Sequence, residues 1–433
     1  MVRMNKVTIL ELRLHEQLVG YLAGFSEGSK NVLLFAESFR GNPERLTLGL
    51  VTHPAFPNST AILAQDWVRH LRLYPLLSNL LPEGSLRELL TQKLKTYLNN
   101  EFQLFANLGH DLPGALVAKA LPLDHIPEDI LTRLQLPDQT QVVEMPASMG
   151  ANKFSLAGVQ MKFSMKAQDG RFNLTPATHA DGTAELGDWI VKTPSTVHDF
   201  VPLNEFTAMS LAALVGVEIP EIKLVEMSTL DNLPPIKLPL EQYAFAIKRF
   251  DRMVTDVGTA RVHMEDFAQV LSVYPQDKYD KANYEQIGRV LYWYSDESIA
   301  DVQQFARRLL VNILLANGDA HLKNWSLYYP DQRTPRLSPA YDIVTTSVYI
   351  EGEREFALNL ADNKNWYLSN MWHFQQWAES VGVPWRAIKP HLDDVMEKAR
   401  RLWPDALTEL PMIDAHKEKL RAHWQRLSAD FRI

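Results

Sequence analysis

The chain has 433 residues, 46% of them apolar and 22% charged, with a net charge of −8 and no cysteine. That length exceeds one ordinary domain, and the balance is that of a globular protein with a core to bury. The acidic excess argues against nucleic-acid binding by bulk electrostatics, and the missing cysteine excludes disulfides, thiolate catalysis and cysteine metal sites.

The run Val7–Leu14 alternates and is broken by charge, unlike a secretory signal, and no apolar run approaches the ~20 residues that span a bilayer. A cytoplasmic protein without membrane contact is expected. Residues 7 to about 50 read as β, with strands at Val7–Leu14 and Val32–Phe35 separated by turn residues Gly24, Gly28 and Ser29. Thr60–Leu77 has amphipathic helical spacing, and 78–84 reads as a turn. Ser85-Leu-Arg-Glu88 reads as a capping box opening a helix to about Leu98, and a short helix follows at 101–108. Residues 1–121 form a first unit, and the Pro- and Asp-containing stretch within 122–141 is a connector.

Residues 142–255 carry mostly strands. Lys153–Met165 reads as two strands around a turn at Gly158, and 188–194 as a strand ending before a proline. A helix is expected over 203–215 with Gly216 at its end, then strands at 222–227 and 243–250. Residues 256–433 are mainly helical, with 3.6-residue apolar spacing over 284–294, 299–315, 370–381, 387–403 and 413–427, interrupted at 317–350. A β-rich lobe before a helical one, with polar loops between, invites a nucleotide cleft at the seam.

Four pieces carry chemistry. In 155–162, Gly158 lets backbone N–H groups approach a phosphate and Lys162 adds a cation, although an ordinary hairpin turn has the same pattern. The spacing is not that of a P-loop. Lys192 interrupts the apolar strand Trp189-Ile-Val-Lys, so it points either to solvent or into a cleft, with Glu205 on the next helix as a candidate partner. In Gly318-Asp-Ala-His-Leu-Lys-Asn324, Asp319 suits a proton acceptor and Asn324 a divalent-ion ligand, at the five-residue spacing of kinase catalytic loops. Asp342, after Pro339, is placed like the second metal ligand of such folds, and a plain turn residue fits there too. Mg²⁺ suits these oxygens. Zinc is excluded at His321, which has no ligand partner at the right spacing. Lys323 is open between neutralising a phosphate and capping the loop.

Taken together, 155–162, Ile190-Val-Lys-Thr-Pro194, Asn204-Glu-Phe206, Lys248-Arg-Phe-Asp-Arg252, Asn317–Asn324 and Pro339-Ala-Tyr-Asp342 resemble the HipA family of toxin serine/threonine kinases. Asn79-Leu-Leu-Pro-Glu-Gly84 and Gly114-Ala-Leu-Val117 are similar to that family's N-terminal subdomain. The resemblance implies an α+β, protein-kinase-like bilobal fold using ATP and Mg²⁺. By it, Asp319 is the catalytic base, and Asn324 and Asp342 hold the metal. Ala157, Gly158, Val159, Gln160, Met161 and Lys162 form the phosphate loop, and Lys192 holds ATP phosphates. Lys248, Arg249 and Phe250 form the adenine hinge, where Lys248 departs from the acidic residue expected. His321, Leu322, Lys323 and Tyr341 lie by the nucleotide, and Ser155 is autophosphorylated to switch the kinase off. The implied partners are a HipB-type helix-turn-helix antitoxin dimer, operator DNA through it, and a protein substrate such as glutamyl-tRNA synthetase, whose phosphorylation arrests growth and gives persistence. Arg400, Arg401, Lys417, Lys419 and Arg421 read as a solvated helix face, with DNA contact as the alternative. The rival readings are a catalytically idle corepressor scaffold and a small-molecule phosphotransferase.

Overall fold

The computed structural model describes residues 6–94, 100–136, 140–143, 160–174, 186–235, 237–256 and 258–433. Strands β1 (Lys6–Leu14), β2 (Gln17–Phe25) and β3 (Lys30–Phe35) form an antiparallel meander extended by β4 (Trp67–His70). The other edge of β1 is shared by β5 (Leu116–Ala120) and β6 (Gln141–Val142). Alternation splits β1 between two cores: Leu10, Leu12 and Leu14 face one, Val7 and Ile9 the other. Helices α1 (Glu37–Arg40), α2 (Ser59–Ala64), α3 (Pro75–Ser78), α4 (Gly84–Lys93) and α5 (Glu101–Leu108) cover the first face. Helix α6 (Glu128–Arg133) covers the second through Ile130.

Several expectations change here. Gly24 is not a turn: it lies within β2, where an added Cβ would stand 2.6 Å from the Phe102 ring. The helix expected over Thr60–Leu77 breaks into α2, β4 and α3, because Trp67 and Val68 pair with Leu33 and Val32 at the sheet edge and Pro75 starts a new helix. The helix expected to open at Ser85 starts at Gly84 instead, which puts Ser85 inside its first turn, and the carboxylate of the flanking Glu83 is held by two lysines. The stretch read as a connector carries α6, packed through Ile126, Ile130 and Leu134. Of the hairpin expected over 153–165, residues 153–159 lie outside the described residues, and the strand that follows pairs elsewhere.

That strand, β7 (Lys162–Gln168), begins a second sheet with β8 (Arg171–Leu174), β9 (Trp189–Lys192), β10 (Ile222–Glu226), β11 (Leu230–Asp231) and β12 (Tyr243–Lys248). Its order is β10-β12-β9-β7-β8-β11. Along β12, Ala244 and Ala246 face the N-terminal core, whereas Phe245 and Ile247 face helix α7 (Val201–Leu214) and the lower lobe. The sheet is therefore buried on both sides.

The lower lobe opens with the hairpin β13 (Arg252–Thr255) and β14 (Gly258–Arg261), then β15 (His263–Asp266), which pairs with β16 (Ser326–Tyr329) and, through it, β17 (Arg336–Leu337). Its helices are α8 (Phe267–Val270), α9 (Tyr284–Tyr294), α10 (Ser298–Leu314), α11 (Met371–Val381), α12 (Trp385–Glu409) and α13 (Asp414–Arg426). Helix α12 runs past both ends of its expected span and through Pro390 and Pro404. Leu309, Leu310, Ile313 and Leu314 of α10 are wholly buried, worth about 1.5–3 kcal/mol each, so the loop that follows α10 stands on a rigid base. The basic face on α12 and α13 is largely tied down. Lys417 donates to Thr408 O (3.0 Å), Lys419 to Val348 O (2.6 Å), Arg421 to Thr408 Oγ1 (3.2 Å) and Arg400 to Arg432 O (2.9 Å). Lys417 is buried, which corrects its place on a solvated face. Among the described residues no helix is long and apolar enough to cross a membrane.

Candidate active site

A cleft of about 630 Å³ opens between the second sheet, α7, the loops after α10 and β17, and the 79–83 loop of the N-terminal unit. That volume is ordinary for a small-molecule site.

On the sheet side, Lys192 shares the pleat face of Ile190, turned away from Val191 and its core. It is buried, so the solvent-facing reading of this lysine is wrong. Its ammonium pairs with Glu205 on α7 and with Oδ1 of Asp342. Lys162, at the start of β7, reaches Oδ2 of Asp342 at 3.0 Å. Burial would push the Asp342 carboxyl up, but the two lysines outweigh it and hold it well below the usual range. Burial would lower Lys192, and its two carboxylates more than reverse that. Asp342 itself sits at φ +54°, a left-handed turn after Pro339-Ala-Tyr.

Across the cleft, α10 ends at Leu314 and the chain turns at Ala316, φ +51°. Asn317 links back to Asn312 through its side-chain amide (2.8 Å), and its Oδ1 accepts from Asp319 N–H (3.1 Å). Gly318 donates to Thr346 Oγ1 at 2.7 Å, and a Cβ there would stand 2.4 Å from Glu353 Oε1, so the Glu353 carboxylate would have to shift. Asn324 donates its amide N–H to Asp319 O (2.7 Å), and no described hydrogen bond uses its Oδ1. The Asp319 side chain is half-exposed and accepts from the Tyr279 hydroxyl. His321 is buried beside it, and burial lowers its imidazole to about 4, so it is neutral at pH 7.

Lys323 is decided by the N-terminal unit. Its ammonium donates to Asn79 O (2.7 Å) and pairs with Glu83 (3.0 Å) and Asp266 (3.5 Å). Glu83 also holds Lys278 at 2.9 Å. Burial alone would raise Glu83, yet the two lysines take it down to about 2. Lys323 therefore anchors the loop to the N-terminal unit at the wall of the cleft, which it also lines.

The hinge residues divide. Lys248 is half-exposed, and its N–H is taken by Glu221 O (2.8 Å). Arg249 donates its N–H to Asp188 O (2.9 Å) and turns its buried guanidinium to Asp251 and Ser164. The Phe250 ring stacks on Tyr341 at 5.6 Å, and the Tyr341 hydroxyl donates to Lys323 O at 3.0 Å. Gln160 lines the cleft, its side chain on Thr193 O. Met161 and Leu322 pack their side chains into cores and contribute none to the cleft. Ser155, Ala157, Gly158 and Val159 lie outside the described residues.

Asp319, Asn324, Lys162, Lys192 and Asp342 thus line one cleft although the chain separates them widely. Sequence reasoning assigned no site role to Asn79, Glu83, Lys278, Tyr279 or Glu353. The first two belong to a recognised motif, but nothing local shows that it docks on residues more than 190 positions away.

A family model described as the HipA-like C-terminal domain matches residues 154–403, and one described as the HipA N-terminal domain matches residues 10–119. The chain is 39% identical over 421 residues to Y4dM of Sinorhizobium fredii, which carries a kinase name, with 97% of each covered. It is 24% identical over 396 residues to the serine/threonine-protein kinase toxin HipA of Shewanella oneidensis, covering 86% of this chain and 85% of that one. The solved complex of the Shewanella oneidensis toxin–antitoxin proteins HipA and HipB with operator DNA contains a chain of the same fold, with TM-score 0.69 at 20% identity over 96% of this chain and 97% of that one.

Proposed function

The chain belongs to the HipA family of kinase-like toxins, with that family's α+β protein-kinase-like fold, and from this premise we propose that it is an ATP- and Mg²⁺-dependent serine/threonine-protein kinase. The observation that carries the proposal is the buried Lys192–Glu205 pair joined to Asp342, facing Asp319 and Asn324 across one cleft. Kinases need a lysine and a helix acid in contact, a metal aspartate and a base.

The residues fit the metal. Among the described residues no group of three or more His, Cys, Asp and Glu could cage an ion. Mg²⁺ needs none, because it takes one or two protein oxygens and fills the rest with water and phosphate. Asp342 and Asn324 Oδ1 would supply those oxygens, and Mg²⁺ held there would neutralise charge on the transferring phosphoryl group. Lys192 binds phosphate oxygens while Glu205 keeps it oriented. Lys162, on the neighbouring strand, adds a second cation. Phe250 and the hinge carbonyls would meet the adenine, since the N–H groups of Lys248 and Arg249 already have partners. Asp319 accepts the proton of the acceptor hydroxyl as its oxygen bonds to the γ-phosphorus and ADP departs. Neutral His321 adds no competing cation beside that base.

By family resemblance the protein acts in the cytoplasm and a HipB-type antitoxin dimer neutralises it, carrying it to operator DNA. Its acceptor is a protein serine, with glutamyl-tRNA synthetase the substrate implied. Phosphorylation of Ser155 switches it off. Retention of Lys192, Asp319, Asn324 and Asp342 in one cleft favours a kinase over an idle scaffold.

The test is incubation with labelled ATP and Mg²⁺ beside Asp319→Ala. Label on Ser155 or an added protein is expected for the wild type alone. No label overturns the kinase, and label persisting in Asp319→Ala overturns the base. Ser155→Ala is expected to stay active longer; equal decay removes the self-inactivation.

A further inference from the structure

Tyr279 lies between the turn Pro275–Asp277 and α9, forty residues before Asp319. Its hydroxyl donates to Oδ1 of Asp319. The ring is itself held: it meets the His321 imidazole edge-on at 4.9 Å and 84°, and the Lys278 ammonium stands 5.6 Å from its centroid. Asp319, by contrast, is half-exposed on a loop. Its N–H is tied to Asn317, but among the described residues the hydroxyl of Tyr279 is the one hydrogen-bond donor to its carboxylate. His321 Nε2, at 3.9 Å from the same Oδ1, is beyond hydrogen-bond range.

The terminal torsion of an aspartate is broad, so an unheld carboxylate samples many orientations. A base works when one oxygen is aimed at the proton it takes. Tyr279 also stands where two spaces meet. Together with Gly318 and Glu353 it borders the 630 Å³ cleft and a shallower groove of about 330 Å³ that runs on toward Lys364. A hydroxyl reaching the cleft from that groove would pass Tyr279, whose phenol touches Asp319.

We propose that Tyr279 is a positioning residue for phosphoryl transfer: its hydroxyl pins Oδ1 of Asp319, so that Oδ2 takes the proton of the acceptor. This rests on the reading of Asp319 as the base. The proton moves from the acceptor oxygen to Oδ2, and Tyr279 keeps its own proton throughout.

Y279F removes the hydroxyl and keeps the ring against His321. For the full chain with MgATP and a protein acceptor, kcat is expected to fall by about ten- to a hundredfold, the range for a hydrogen bond to a charged group, with the KM for ATP unchanged. Wild-type or higher kcat overturns the proposal, because the phenol would then only fill the place of the acceptor hydroxyl. So does a raised KM for the acceptor with kcat intact. A double-mutant cycle of Y279F and D319A, each of which removes the Tyr279–Asp319 hydrogen bond, reads the contact on thermal unfolding without activity. Non-additive shifts are expected, and additive ones overturn the pinning. No transfer by the wild type overturns the base reading and this proposal with it, whereas transfer with an unimpaired Y279F overturns this proposal alone.

Discussion

Two buried ion clusters built from similar ingredients behave differently. The cleft cluster joins Lys162, Lys192, Glu205 and Asp342. The hinge cluster joins Arg249, Asp251, Arg252 and Asp111. In the hinge cluster Arg249 grips Asp251 with two parallel bonds of 2.8 and 2.6 Å, and Arg252 adds a third at 2.8 Å. Gly114 donates its N–H to the same carboxylate at 2.9 Å and accepts from Arg252 at 3.1 Å. The Gly114–Val117 motif is thereby bolted under the hinge. Arginine forks fix geometry, while lysines are point charges that exchange partners readily. The cleft cluster uses lysines and borders an open cavity, so a phosphate can replace a carboxylate on them. The contrast teaches that burial and pairing alone do not mark a working site. Donor type does, since Arg249 and Asp251 line the same cleft.

The largest expected effect is on the hinge side. D251A leaves two buried guanidinium groups without their shared partner and is expected to cost about 3–5 kcal/mol in chemical unfolding. A loss below about 1 kcal/mol would end its role as a brace. On the cleft side K192M should lower phosphoryl transfer about 10²–10³-fold, as removal of one donor to developing charge does elsewhere. Its stability should fall less than that of D251A, because Asp342 keeps Lys162, and Glu205, whose carboxyl burial already pushes up, can take up a proton once the lysine is gone. A K192M variant as unstable as D251A would erase the distinction. Ligand binding sharpens it next: MgATP at a hundredfold over its Kd should stabilise the wild type by about 2.7 kcal/mol. Thermal unfolding of K192M should show little of that gain, and an equal gain would remove Lys192 from the phosphate site.

The smallest effect concerns a third buried acid. Glu265 of β15 accepts from Leu50 N–H at 2.6 Å and from the Tyr329 hydroxyl. Burial lifts it to about 8. Between its ordinary 4.5 and 8 the unfolded chain releases a proton that the folded chain keeps, so stability falls as pH rises through that window. E265Q cannot ionise and should flatten the fall, measured by urea unfolding at pH 5 and pH 8. Equal slopes would show Glu265 charged in the fold.

What was legible followed the range of the signal. Asp319 and Asn324 lie five residues apart in one turn, and Lys192 breaks an apolar strand, so each announces itself locally. The helices from Tyr284 onward were legible because their 3.6-residue period is local and their buried faces are long. Thr60–Leu77 misled because its helical spacing competes with an edge pairing to β3 that no window contains. Gly24 misled because it serves a ring in α5, not a turn. Lys323 stayed open because its partners, Asn79 and Glu83, lie about 240 residues away.

By itself the sequence determined the balance of apolar and charged residues, the order of the chemical motifs and the residue types each could use, because composition and short spacings are written along the chain. Only the tertiary structure decided which of those groups face one another. It turned Lys192 inward to Glu205 and Asp342, locked the Arg249 guanidinium onto Asp251 and Ser164, and set the N-terminal 79–83 loop on the 317–324 loop. The physical reason is that ion pairs and hydrogen bonds depend on separations of a few ångströms, and those separations are created by sheet pairing and core packing between segments far apart in the chain.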